Sequence, residues 1–378
     1  MRRRSALLAP WPLLAWPAAW ADTAAGSPRD PPPAERLATA WRMADPAAAL
    51  DAGQHVGVMR IDWAAGQVQI ESAVTIPTRA HGLLALDDGG FVALANRPGR
   101  WLLRTDASGH VTVLHRLDDE RPARTLNGHA EASADGHWLL TTETDSATGA
   151  GWLGLRDART LARVAQFESH GVDPHQLLRA ADGSFVVANG GIARDARGRK
   201  VDGQAMDPSL VHLDAEGRLL GRWQLPDKHS SLRHLAWAHG PAPLLGIALQ
   251  AEHATAAQRL SAPTLAVWDG RGLSVPSTDA GGGGYAGDIA AGPAGGFVIS
   301  AQKQGRGLWW QPAQPDEMTV VAELTEPCAL APCSDGRGVI LSAGRGLALW
   351  HSRLAPRMLR WPVALAPDNH AVRLSATA

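Results

Sequence analysis

Pro174-His175-Gln176-Leu177-Leu178-Arg179-Ala180-Ala181-Asp182-Gly183-Ser184-Phe185-Val186-Val187-Ala188-Asn189 sets the grammar of this chain. A polar residue opens a short apolar run, an Asp-Gly turn reverses the chain, and a second apolar run returns. The same order occurs in Ala80-His81-Gly82-Leu83-Leu84, turn Asp88-Gly89-Gly90, then Phe91-Val92-Ala93-Leu94. Asp135-Gly136, Gly295-Gly296 and Asp335-Gly336 mark matching turns elsewhere. Asp-Gly and Gly-Gly supply the positive φ that two-residue hairpin turns require, so the runs read as antiparallel hairpins.

Aligning the hairpins puts His81, His129, His175, His234, Asp288, Cys328 and His370 at one position, with spacings of 48, 46, 59, 54, 40 and 42 residues. That is the repeat length of propeller blades, about 40–50 residues. The two long gaps hold insertions, at 194–206 and 252–263. Third and fourth strands follow in the first clear repeat, at Trp101 to Asp106 and Val111 to Leu117. Four strands per repeat predict a blade. The last repeat has one strand, His370 to Leu374. The N-terminal region supplies three, at Leu37 to Met43, His55 to Trp63 and Val68 to Ile76. The fold class expected is therefore all-β: a seven-bladed β-propeller with four-stranded antiparallel blades. One C-terminal strand plus three N-terminal strands close it and leave no open sheet edge.

The domain organisation follows. Arg2, Arg3 and Arg4, the apolar stretch 6–16 and Ala19-Trp20-Ala21 read as a signal peptide over 1–21. Arg3-Arg4-Ser5-Ala6-Leu7 also resembles a twin-arginine signal, so the export route, Sec or twin-arginine, stays open. Residues 22–35 are proline-rich and expected to be a disordered lead-in, and 36–378 form a single propeller domain. The expected location is periplasmic. No later segment offers about 18 uninterrupted apolar residues, so stable membrane insertion of the mature chain is not expected. A net charge of −1 without blocks of like charge argues against a nucleic-acid partner. An oxidising compartment would permit a disulfide between Cys328 and Cys333. No Cys-x-x-Cys-His occurs, which excludes covalent c-type haem, and no nucleotide-binding fingerprint is present.

If each aligned position opens an inner strand, five imidazoles, a carboxylate and a thiol converge at one mouth of the central channel. Neutral imidazole is a common ligand for zinc, copper, iron and nickel. The metal candidates are His81, His129, His175, His234, His370 and Cys328. Asn96, Arg97, Glu143, Asn189, Gln250 and Gln302 lie at or near the ends of the second strands, on the same edge, and are candidates for ligand contact. Three readings are open at this point: a transition-metal site (iron or copper), a polar channel lining without chemistry, or a site for an organic ligand. Crowded imidazoles lower one another's pKa. Asn189-Gly190-Gly191 signals a tight loop.

Ala95-Asn96-Arg97-Pro98-Gly99, Gly128-His129, Thr141-Thr142-Glu143 and Ser169-His170-Gly171-Val172-Asp173-Pro174-His175 occur in that order. Val187-Ala188-Asn189-Gly190-Gly191-Ile192, Pro208-Ser209-Leu210, Leu232-Arg233-His234-Leu235-Ala236 and Pro327-Cys328 continue it. Over roughly residues 50–374 the chain resembles an uncharacterised family of exported bacterial propellers, domain of unknown function fifteen-thirteen. The resemblance implies a setting beside imelysin-type iron-uptake proteins, hence an imelysin-like partner and an accessory role in periplasmic iron or copper handling. It implies no catalytic residues, and it does not support Asp288 as a ligand. Besides metal binding, the sequence leaves a metal-dependent oxidoreductase and a non-catalytic interaction scaffold open.

Overall fold

Turn chemistry departs from the expected two-residue type. Leu86 N donates to Gly90 O at 2.9 Å and Gly89 N to Leu86 O at 3.1 Å, with Gly89 at φ +83°. This is a three-residue loop whose glycine takes the left-handed position, a geometry that also matches strand twist. Asp88 Oδ1 accepts from Gly90 N at 3.0 Å, which selects the tighter turn at the aspartate and the bulge after it. Ala180 to Ser184 repeats the pattern, with Gly183 at φ +87°.

The computed structural model describes residues 34–43, 53–195, 197–201, 206–240, 244–276 and 281–375. The expected signal peptide, and the lead-in as far as residue 33, lie outside the described residues. Hairpins assemble into seven four-stranded antiparallel sheets. Blade 1 comprises Ala80–Ala85, Phe91–Ala95, Trp101–Thr105 and Val111–Arg116. The inner strands of blades 2 to 6 are Arg124–Ala132, Pro174–Arg179, Ser230–Trp237, Ile289–Ala291 and Leu330–Pro332. Blade 7 runs Leu365–Arg373, Glu35–Met43, Gln54–Asp62, Gln67–Ile76 from axis to rim. The ring is closed as the sequence predicts, with Leu37 opposite Arg373 and Thr39 opposite Ala371. Its first strand begins at Glu35, two residues before the expected start and inside the expected lead-in.

Each inner strand packs on the next, and Leu365–Arg373 returns to Ala80–Ala85. Blades are covered on both faces, so second strands such as Phe91–Ala95 and Phe185–Asn189 are buried throughout rather than alternating. In blade 1, Phe91, Ala93 and Ala95 pack on Val56 and Val58 of blade 7. Val92 and Leu94, on the opposite face, pack on Leu126 and Leu139 of blade 2. The insertion at 252–263 holds a short helix, Ala256–Ser261, with Thr255 and Gln258 forming a reciprocal cap. Both cysteines are buried free thiols, so the permitted disulfide is not formed. No helix among the described residues is long and apolar enough to cross a membrane.

Phe297 is fully buried between blades 4 and 5 and stacks on Trp310 with ring centroids 5.9 Å apart. Phe297→Ala should cost about 3–5 kcal/mol of stability, read as a lower urea midpoint at unchanged slope.

Candidate metal centre

In each of the five blades that carry a ring histidine, the ladder between inner strand and neighbour slips at that histidine. In blade 1, pairing jumps from Ala80 with Ala95 to Leu83 with Ala93. The corresponding slips lie between Leu126 and Ala130, Pro174 and Gln176, and Leu232 and Leu235. In blade 7, Ala371 and Pro367 lie opposite Thr39 and Trp41. An extra residue in one strand bends it and re-aims a side chain. Here His81, His129, His175, His234 and His370 lie in the slipped segments, which gain one residue in blades 1, 3 and 4 and two in blades 2 and 7, and all five are buried. Blades 5 and 6 begin their inner strands after Asp288 and Cys328, without such a slip.

Small residues let the strands close in. A Cβ on Gly82 would lie 2.1 Å from Gly128 O, and one on Gly128 (φ +105°) would lie 2.6 Å from His81 Cδ2. Polar side chains then lock neighbouring blades. Asn127 Nδ2 donates to Pro174 O at 2.7 Å, Thr142 Oγ1 to His175 O at 3.0 Å, and Leu235 N to Gln176 Oε1 at 2.8 Å.

The rings meet on the axis. One donor nitrogen each from His81, His129, His234 and His370 lies within 4.8 Å of every other. His234 Nε2 is 2.8 Å from His175 Nε2 and 3.0 Å from His370 Nε2. A neutral Nε2 carries one proton or one lone pair, so His234 cannot make both contacts as full hydrogen bonds. Both ring nitrogens of His81, Nε2 of His129 and Nδ1 of His234 are buried without partners. Desolvation, joined by the other imidazoles or by Arg97, lowers the pKa values of His81, His129, His175 and His234 well below the ordinary histidine value. Those four rings are neutral and offer lone pairs. Asp288 is not a fifth donor beside them: its Oδ1 stands 3.2 Å from His370 Nδ1, and Oδ2 accepts from Leu330 N at 2.8 Å. Its charge favours a proton on Nδ1 and leaves Nε2 of His370 facing the cluster.

Above the cluster opens a cavity of about 140 Å³, lined in part by His81, His175, His234, Asn96, Arg97 and Gln250. The other expected contacts are elsewhere. Glu143 is fully buried in an ion-pair network, 2.7 Å from Arg156 and 3.1 Å from Arg163. Successive residues of a strand face opposite ways. Thr142 faces blade 3, so Glu143 is turned away from the mouth. Asn189 Nδ2 donates to Ser169 O at 3.1 Å and is sealed between blades 2 and 3. Gln302 Nε2 donates to Cys328 Sγ at 3.4 Å. The Cys328 thiol donates to Glu326 O and, pushed up to about 12 by burial and by the Asp368 and Glu326 charges, stays protonated. Cys328 therefore lies outside the set of converging donors.

Sequence reasoning missed Arg79, Asp173, Arg233 and Tyr285. Arg79, Arg233 and Tyr285 line the cavity, and Asp173 accepts from Arg97 at 2.6 Å and Arg233 at 3.1 Å. The available signal was position. Arg79, Asp173 and Arg233 stand one or two residues before ring histidines.

A family model described as protein of unknown function (DUF1513) matches residues 74–374. No curated protein matches the sequence. Hydrazine synthase from Kuenenia stuttgartiensis shares the fold at 12% identity and TM-score 0.57, over 82% of this chain and 92% of that one. Virginiamycin B lyase from Staphylococcus aureus does so at 12% and 0.52, over 75% and 85%. A functionally unknown protein from Desulfotomaculum acetoxidans does so at 8% and 0.54, over 83% and 96%. At these identities the likeness is one of fold alone.

Two outcomes follow from the site's electrostatics. Glu143→Gln should lose about 3 kcal/mol, the low end for breaking a buried pair, since Glu120 still holds Arg156 at 2.7 Å; chemical denaturation reads this, and the mouth should be unchanged. In metal-free protein the four depressed imidazoles give full stability above about pH 6.5, where folded and unfolded chains both hold them neutral. As pH falls below that value, only the unfolded chain takes up protons. Each such histidine should then cost about 1.4 kcal/mol per pH unit until its folded pKa is reached, seen as a falling Tm between pH 7 and 5.

Proposed function

The chain belongs to the DUF1513 family, and we propose that it binds a transition-metal ion at the imidazole cluster, as an exported binding or accessory protein in iron or copper handling. The observation that carries this reading is the convergence of four buried imidazoles, three of which, His81, His129 and His234, carry ring nitrogens with no protein partner. Two nitrogens each about 2.0–2.1 Å from one ion and at right angles to it are about 3 Å apart. The 3.0 Å separation between His234 Nε2 and His370 Nε2 is of that size. A cation would satisfy the lone pairs that neutral rings cannot satisfy among themselves. A channel lining built only for packing has no need to bury unpartnered ring nitrogens, each of which costs free energy.

Donor chemistry narrows the ion. The converging set is imidazole, with no thiolate or carboxylate in it, which suits copper, zinc, nickel and iron over calcium or magnesium. His81, His129, His234 and His370 would be the ligands, with His175 adjoining through His234. The periplasmic setting and an imelysin-like partner are proposed on the export signal and the family resemblance.

Untagged protein purified from its native compartment should carry about one transition-metal ion per chain by elemental analysis. His81→Ala and His234→Ala should each lower metal affinity at least about tenfold, while Glu143→Gln retains it. Metal-free wild-type protein that takes up neither Cu(II), Zn(II) nor Fe(II), or alanine variants that bind as wild type does, would remove the basis of the proposal.

A further inference from the structure

We propose that the cavity above the imidazoles is a binding site for a small oxyanion or short carboxylate, held by Arg233, Arg97 and Arg79. This goes beyond metal binding and does not depend on it. The cavity wall carries three arginines together with Asn96, Gln250 and Tyr285. Asp173 alone answers three guanidinium groups: Arg97 at 2.6 Å, Arg233 at 3.1 Å and Arg194 at 3.3 Å. Arg79 is paired with Asp368, at 2.6 and 2.7 Å. Four arginines face Asp173 and Asp368, and one positive charge is left in excess even with the Asp288 carboxylate counted against them. The nearby Glu252 does not offset that charge, because Lys200 pairs with it.

Arg233 provides the second observation. It is 2% exposed, and its Nε and Nη2 have no partner although both are buried. An unpaired buried guanidinium edge is costly. A planar oxyanion accepts two parallel N–H bonds from such an edge. Like charge at close range also acts on Arg97: burial, with Arg233 and Arg194 beside it, brings its pKa down to about 10. An anion in the cavity would neutralise both groups.

Volume sets the ligand class. The space is small, about 140 Å³. Phosphate, sulfate or a two-carbon dicarboxylate is the size of group that such a space takes in. Tyr285, Asn96 and Gln250 offer further hydrogen bonds at the rim. Tyr285 is itself held by Lys303, whose Nζ lies 4.3 Å from the ring centroid.

The test is titration calorimetry of chelator-treated, full-length mature protein with oxalate, inorganic phosphate and choline chloride in an anion-poor buffer. Oxalate or phosphate should saturate one site, and chloride should bind at least about tenfold more weakly, lacking the bidentate geometry. Preference for oxalate assigns the site to carboxylates, and preference for phosphate assigns it to inorganic oxyanions. Arg233→Gln should weaken the preferred anion at least about tenfold. If that variant does not fold by circular dichroism, Arg97→Lys keeps a cation on Asp173 but loses the planar fork, and should weaken binding severalfold. No saturable binding of oxalate or phosphate by wild type, or equal binding by the folded variants, overturns the proposal. Metal uptake without anion binding would sink this inference alone, and anion binding without metal uptake would sink only the metal reading.

Discussion

The pairing of Leu365–Arg373 with Glu35–Met43 is the contact on which the rest of the molecule depends. It joins the two ends of the chain in one sheet and turns a row of blades into a ring. Only a ring gives all seven inner strands a common axis. Once they share it, side chains separated by up to 289 residues, such as His81 and His370, must occupy the same few ångströms. The centroids of those two rings are 4.7 Å apart. Opening the ring would leave five unrelated histidines on separate hairpins.

Closure alone would give a loose circle of polar side chains. Slips in the inner ladders make it a cluster, because each places its histidine in a lengthened segment that the strand pushes toward the axis. Glycines at 82 and 128 remove the steric barrier to the approach of blades 1 and 2. Blades 5 and 6 lack the slip, and their ring residues behave differently. Asp288 supports a neighbouring imidazole from the side, and Cys328 turns its thiol to a backbone carbonyl. The same local chemistry therefore yields ligand candidates in five blades and supporting groups in two.

The mouth is both buried and electropositive, and those properties pull against each other. Neutral imidazoles tolerate the low-dielectric setting by giving up their protons. The arginines above them cannot, and one buried aspartate serves three of them. A cation at the imidazoles and an anion among the arginines would each relieve one side of this imbalance. Both proposals start from the same physical fact: polar atoms buried without partners on two adjoining levels of one channel.

Much of the fold was legible in the order of residues, because propeller blades are built from local hairpins. The turn signals at Asp88-Gly89 and Asp182-Gly183 and the apolar second strands depend on near neighbours in sequence, and the division of blade 7 between the termini follows from counting the strands left over at each end. Spacing likewise predicted which histidines share a level on the axis. The facing of Glu143, Asn189 and Gln302 was not legible, since a one-residue difference at a strand end reverses the side of the sheet a residue presents. Nor was the arginine–aspartate layer, in which Asp173 meets Arg97, Arg194 and Arg233 from other segments. The sequence by itself determined that seven repeats exist and that imidazoles recur at one position in five of them. Only tertiary structure decided which rings touch, which carboxylates are turned away and where charge is left over. Those outcomes depend on ladder slips and blade-to-blade contacts that no local run of residues specifies.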